Sequence, residues 1–298
     1  MKINKIIRLL LFPLWGLGGF LFTSCEKEID ITLDEGKSQI VVDAFLTDAS
    51  SKQTIKLTNT SPYFKNSASP AVLGAKVTVT NLNTGEVFPF IDASNTGNYS
   101  WSPNGKGNLA KMNSNYSLSV IYKGDTLISE SRLNPVPKID SLSYEFKEGI
   151  TDKQTGYIAS FWANDIPKRT DFYWIRTSRN DTLLNEPKYL TFTWDAGFEG
   201  WETDGQPFFE FFRKAITPFD KPFKIGDKVK VQLWSNNYET FRYFFQIQSQ
   251  MTNNGIFAQP AANVPTNITN KNKKSPNKPV GWFLMSAVVE KSIVIKKK

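Results

Sequence analysis

The chain has 298 residues, a formal charge of +8, no histidine and a single cysteine, Cys25. Without histidine or a second cysteine, Ser-His-Asp and Cys-His catalysis and zinc sites built on nitrogen or sulfur ligands are excluded. A composition 40% hydrophobic and 14% aromatic, with 16 prolines, favours strands and turns over helical bundles and predicts an all-β body large enough for two modest domains.

The first element is an export signal. Lys2, Lys5 and Arg8 form a basic start, Leu9 to Phe22 is almost wholly apolar, and Thr23-Ser24 supplies small residues just before Cys25. The apolar run is shorter than the roughly 20 residues of a membrane span and is broken by Pro13, Gly16, Gly18 and Gly19. A cysteine directly after small residues resembles a bacterial lipoprotein signal, with Phe22 where such signals usually carry leucine. The expectation is cleavage after residue 24, diacylation of Cys25 and a membrane tether over residues 25–37. Two acyl chains hold a protein on a bilayer where one is marginal. The competing reading, an ordinary signal with an incidental cysteine, leaves an unpaired thiol in an oxidising compartment. Glu26-Lys27-Glu28 resembles the charged export signal of surface lipoproteins, so the expected location is the outer membrane, facing the cell surface, with the periplasm as the alternative.

The positive charge is local. Removing the signal takes away three positive charges and leaves +5, while residues 271–298 carry eight lysines against Glu290, so the body between is slightly acidic at −2. The excess sits in one loop, KNKKSPNK, and one tail, KKK, which read as a solvated loop and a frayed end, with contact to anionic lipid headgroups as the alternative. No basic face for nucleic acid is built into the fold.

Period-2 alternation then dominates. SQIVVDAFLT (38–47) places Ile40, Val42, Ala44 and Leu46 on one side, KQTIKLTNT follows, and AKVTVTN (75–81) turns Val77 and Val79 inward; EVFPF, NYSW and YSLSVIYK continue the pattern. Asn, Gly and Pro mark the turns NTSPYF, NLNTGE and NTGN, and YKGDTL (122–127) reads as a hairpin. About seven short strands over 38–134 predict a β-sandwich. LNPVPKIDSL (133–142) breaks the rhythm, since alternate prolines do not continue a paired strand, and a domain boundary is placed there. The second domain, 135–298, is expected to be a larger aromatic-rich sandwich or barrel built on YIASFWAN, DFYWIRTSR, YLTFTWD and KVKVQLWS. One helix is predicted near 237–251, where Phe241, Phe244, Phe245 and Gln248 fall at helical spacing after a possible cap at Ser235-Asn236. GWFLMSAVVE and SIVIKKK look like a terminal strand pair.

Taken together, CEKEIDI, IVVDAFLTD, IKLTNTSPYF, NTGEVF, GNYSW, NPVPKIDSLSYEF and GIFAQPAANVPTNI followed by GWF resemble, in content and order, the domain-of-unknown-function family numbered 4249. The resemblance implies surface or periplasm-facing lipoproteins, often encoded beside TonB-dependent outer-membrane receptors, with an immunoglobulin-like first domain. It supplies no catalytic residues. Between PTNI and GWF, where that family looks glycine-rich, this chain carries the lysine-rich KNKKSPNKP.

No nucleotide-binding or S-x-x-K motif is present, and no cofactor is expected. Carboxylate chemistry is left open, because a glycosidase needs only two acids at a set separation in space. The densest candidate is TFTWDAGFEGWETDGQPFF (191–209), where Trp194, Phe198 and Trp201 alternate with Asp195, Glu199, Glu202 and Asp204. Exposed indoles suit a partner surface, a glycan or a peptide cargo, and the acids suit a rim or calcium, although the spacing is not that of an EF-hand. The competing reading is a hairpin loop whose aromatics fold back on the body. Two functions follow: a non-enzymatic binding or accessory lipoprotein working with a TonB-dependent receptor, or a carboxylate-dependent glycan hydrolase; a purely structural envelope role is the third alternative.

Overall fold

The computed structural model describes residues 37–61, 68–103, 107–151, 154–197, 205–253 and 264–297, which are mostly strand with two short α-helices. Cys25 and its flanks lie outside the described residues. Seven strands come first: β1 (Ile40–Thr47), β2 (Gln53–Asn59), β3 (Lys76–Asn81), β4 (Val87–Phe90), β5 (Asn98–Trp101), β6 (Asn115–Tyr122) and β7 (Asp125–Arg132). Next come β8 (Ser141–Thr151), β9 (Gln154–Trp162), β10 (Phe172–Arg179), β11 (Thr182–Leu183), β12 (Thr191–Trp194) and the helix α1 (Glu210–Lys214). The chain ends with β13 (Lys228–Asn236), α2 (Tyr238–Thr252), β14 (Thr269–Asn270), β15 (Val280–Ser286) and β16 (Val288–Val294).

Two sheets, ordered β15-β1-β2-β5 and β14-β7-β6-β3-β4, make the first sandwich. Its core is aliphatic and follows the sequence alternation: Val42, Ala44 and Leu46 from one sheet meet Val79, Leu118 and Val120 from the other. The β6–β7 connection is the predicted hairpin. Lys123 and Gly124 both have positive φ, the geometry of a type I′ turn whose twist matches the flanking strands.

In the second sandwich β8 and β9 pair as a hairpin across a core from the sheet β11-β10-β13-β16, with β12 also on β10. Tyr173, Ile175, Val229, Val231 and Leu233 point into this core toward Ala159, Phe161, Phe208 and Phe223. The two cores lie on either side of Pro135 and Pro137, with Leu133 in the first and Ile139 in the second.

The division is not a single cut along the chain. β14 and β15 fall in the region assigned from sequence to the second domain, yet they complete the first sandwich, and Ile268, Phe283, Met285 and Ala287 sit in its core. The expected terminal strand pair does not form. β15 runs parallel to β1 and β16 runs antiparallel to β13, with Ala287 alone between them. A one-residue link has no room for a hairpin turn, so the chain passes straight from one sandwich into the other.

The parallel contact needs glycine. Gly281 opposite Val42 has φ +102°, and a Cβ there would lie 2.0 Å from the Val42 carbonyl oxygen. The junction is then tied by polar groups. Asn134 Nδ2 donates to the Asn236 carbonyl at 3.0 Å, Ser235 Oγ donates to the Asn134 carbonyl at 2.6 Å, and the Ala287 amide donates to Ser235 Oγ at 2.9 Å.

Helix α2 starts one residue later than predicted. Its cap is Asn237, whose side-chain oxygen accepts from the Thr240 amide at 2.8 Å, while Ser235 and Asn236 belong to β13.

Candidate binding surface

The outward face of the β10–β13 pair carries a second, aromatic layer. Strand alternation that sends Tyr173 and Ile175 inward sends Phe172, Trp174 and Arg176 the other way, beside Trp234 on β13. Helix α2 lies over them. Phe244 is its buried anchor: its ring is 4.6 Å from Trp174, 4.8 Å and nearly parallel to Phe192, and 5.5 Å from Phe45 of β1. Tyr243 stacks on Trp282 of β15 at 4.3 Å, and Trp282 Nε1 donates to Thr240 Oγ1 at 3.0 Å. Gln248 donates to the carbonyls of Pro187 and Leu190, both at 2.9 Å, fastening the far end. The helix therefore bridges both sandwiches.

This layer continues onto the surface. On β12, Phe192 and Trp194 share a face; Phe192 is covered by Phe244, whereas Trp194 remains 42% exposed with its ring edge-on to Phe241 at 5.6 Å. Phe241 also contacts Phe172 at 5.6 Å and Phe245 at 6.5 Å, and Tyr238 lies 5.7 Å from Phe172. Tyr238 is 53% and Phe245 60% exposed. Trp194, Tyr238, Phe241 and Phe245 thus form one connected aromatic patch. Contiguous exposed aromatic surface on a folded body marks a contact site more often than scattered single side chains do.

Sequence reasoning reaches half of this. Trp194 belongs to the candidate loop read from the sequence, but Phe245, at helical spacing with Phe241 and Phe244, faces outward, and Tyr238 and Phe172 are not among the expected site residues. A signal is present: five of the eight residues 238–245 are aromatic, more than one buried helix face accommodates.

Asp195 does not form a free rim. It occupies a turn with Ala196, both at positive φ; its Oδ1 accepts from the Asp171 amide at 2.8 Å, and its own amide donates to the Asp171 carbonyl at 2.8 Å. The Ala196 carbonyl accepts from the Phe209 amide at 2.8 Å, and Gly197 lies against Phe209 and Phe212. This turn is the root of the candidate loop. Phe198, Glu199, Trp201, Glu202 and Asp204 lie outside the described residues.

Carboxylates do gather beneath the turn. Asp171 pairs with Arg169 at 2.7 Å, and Tyr173 donates to Asp165 Oδ1 at 2.6 Å. Burial pushes the Asp171 carboxyl up to about 6, against the pull of Arg169 and with the charges of Asp165 and Asp195 adding to the rise. Burial also pushes the Tyr173 hydroxyl up. Asp165 and Asp171 are buried, so the cluster stabilises a turn and offers no open face to a sugar ring. Among the described residues no group of three or more acidic or cysteine side chains is arranged to hold a metal ion.

Arg176 lies 4.5 Å from both the Trp174 and Trp234 rings. Burial lowers its guanidinium to about 10, still protonated at neutral pH. The recess beside it, lined by Trp174, Arg176, Leu184 and Tyr189, has a volume of about 10 Å³, room for a single water.

A family model described as a domain of unknown function (DUF4249) matches residues 26–292. The chain belongs to this DUF4249 family. No curated protein matches it. Three described stretches of this DUF4249 chain that carry the family resemblance serve architecture. In GWF, Gly281 admits the parallel strand, Trp282 anchors α2 and Phe283 enters the first core. In PTNI, Asn267 exchanges two hydrogen bonds with the Phe283 backbone, at 2.8 and 2.9 Å, and Thr266 Oγ1 donates to the Gly281 carbonyl at 2.7 Å. In NPVP, Asn134 closes the junction. Among the described residues no helix is long and apolar enough to cross a membrane.

Proposed function

We propose that this chain is a lipid-anchored, non-catalytic binding protein of the outer membrane, acylated at Cys25 and facing the cell surface, that acts as an accessory subunit for a TonB-dependent transporter. The observation that carries the reading is the aromatic patch in which exposed Trp194, Tyr238 and Phe245 are joined through half-buried Phe241 and Phe172, set on the two-sandwich frame. Large aromatic side chains contribute most of the energy when an interface buries them. The partner is the receptor itself or the glycan or peptide it imports. The glycan-hydrolase alternative ranks second, because in the carboxylate group formed by Asp165, Asp171 and Asp195 two members are buried and lend it no support.

The test is capture of partners from solubilised outer membranes by the tagged lipoprotein. Trp194→Ala with Phe245→Ala should remove a receptor recovered with the wild type while leaving the fold intact. Equal recovery would overturn the patch as the contact site, and recovery of no receptor by either protein would favour a purely structural envelope role. Cys25→Ala should abolish fatty-acid labelling; a variant that still labels would refute the anchor.

A further inference from the structure

The lysine-rich stretch 271–278 is a built loop. Asp125 at the start of β7 is buried at its centre: Oδ2 accepts from Ser275 Oγ at 2.8 Å and Asn277 Nδ2 at 2.5 Å, and Oδ1 from Asn272 Nδ2 at 3.5 Å. The backbone is held as well. The Lys271 amide donates to the Thr126 carbonyl at 2.9 Å, the Asn272 amide to Asn270 Oδ1 at 3.0 Å, and the Lys274 amide to Asn272 Oδ1 at 3.2 Å. Amide and hydroxyl groups thus occupy the one carboxylate at the loop's centre. Lys271, Lys273, Lys274 and Lys278 are exposed, and no carboxylate among the described residues is within ion-pair distance of them. Lys123, at the tip of the β6–β7 hairpin that also provides Asp125, adds a fifth exposed cation.

The position of this loop relative to the chain's entry into the sandwich is decisive. Gln39 lies immediately before β1, and its side chain bridges two segments: Oε1 accepts from the Lys278 amide at 2.5 Å, while Nε2 donates to the Lys37 carbonyl at 3.0 Å. The lysine loop is therefore fastened to the residue at which the segment following Cys25 joins the body. Eleven residues lie between Cys25 and Lys37, so the two are at most about 40 Å apart along the chain.

We infer that Lys123, Lys271, Lys273, Lys274 and Lys278 form a contact surface for the anionic phosphate headgroups of the bilayer that carries the anchor, holding this end of the first sandwich against the membrane. The inference rests on the anchoring of Cys25 proposed above. An unneutralised cluster of ammonium groups is attracted to anionic headgroups within about a Debye length of the surface, ~10 Å at about 0.1 M salt, and a connection of this length permits that approach. With its entry end on the bilayer, β1 leads away from the membrane toward Lys52 at its far end. The segment 26–36 is itself acidic, with five carboxylates against Lys27, and is the rival occupant of these lysines.

The experiment uses the mature chain in two forms, acylated and Cys25→Ser, with vesicles of phosphatidylcholine alone or mixed with phosphatidylglycerol. For the Cys25→Ser chain, co-sedimentation should require phosphatidylglycerol, weaken with added salt and fall roughly fivefold for each of Lys271, Lys273, Lys274 and Lys278 replaced by Gln. For the acylated chain, acetylation of those lysines should slow in the anionic bilayer while that of Lys52 does not change. Sedimentation that ignores phosphatidylglycerol, or lysines equally protected on both lipids, would overturn the inference; the second result would assign them to the acidic segment or to an acidic partner. Intact mass separates the two claims: missing acyl chains with lipid-dependent sedimentation retained would sink the anchor alone, and acyl chains present without it would sink the headgroup surface alone.

Discussion

Phe244 and Phe245 are neighbours on one helix and differ in almost everything that matters. Phe244 is enclosed by Trp174, Phe192 and Phe45, and so joins the two sandwiches through one ring. Phe245 leans on Phe241 and is otherwise open to solvent. One step of about 100° around a helix separates a residue that holds the frame from one that faces solvent. Aromatic content alone therefore says little about function in this chain; the side of α2 on which a ring falls decides its role.

The strongest way to break that contrast is to remove the frame beneath both rings. Gly281→Ala places a methyl group against the Val42 carbonyl at a positive φ, and should cost more than about 4 kcal/mol or prevent folding, read by urea denaturation and by loss of near-ultraviolet circular dichroism. A near-neutral result would show that the parallel β1–β15 pairing is not needed for stability. Phe244→Ala should cost about 3–5 kcal/mol, because it empties a closed aromatic site on both sandwiches.

A pH series sharpens the picture on the turn below Trp194. The folded pKa of Asp171, about 6, lies above its ordinary value of 3.8, so between those limits the folded state binds the extra proton. The contribution of this site to stability is thus fully present below about pH 4 and falls as pH rises toward 6. The stability of wild type minus that of Asp171→Asn should drop by about 1–3 kcal/mol between about pH 4 and pH 7, measured by melting at each pH. A flat difference would mean that Arg169 fully offsets the burial of the charge.

The smallest expected effect is the most telling for function. Phe245→Ala should change stability by no more than about 0.5 kcal/mol in the same denaturation assay. A cost comparable to that of Phe244→Ala would erase the distinction between frame and surface, and with it the case for the patch.

Much of this molecule is legible in its local residue patterns. Val42, Ala44 and Leu46 alternate with less buried residues because a strand in a two-layer sandwich must bury every second side chain, so their facing follows from spacing alone. The YKGDTL hairpin, the proline-marked passage at 133–142 and the extent of α2 are readable for the same reason: turn chemistry and helical period are local properties. The partner of each strand is not local. β15 and β16 are strand-like runs one residue apart, and nothing within them tells that one pairs with β1 and the other with β13. The acids near Trp194 behave alike: Asp195 falls in a segment whose glycines mark turns, but its use as a brace for Asp171 depends on a residue 24 positions away. By itself the sequence determined the fold class, most of the longer strands, helix α2 and the charge distribution, since each depends on residues within a few positions of one another; the short α1, β11 and β14 escaped it. Only the tertiary structure decided that Phe245 is exposed, that Gly281 is obligatory and that the lysine loop lies beside the chain's entry point, because those facts depend on what distant segments bring to the same place.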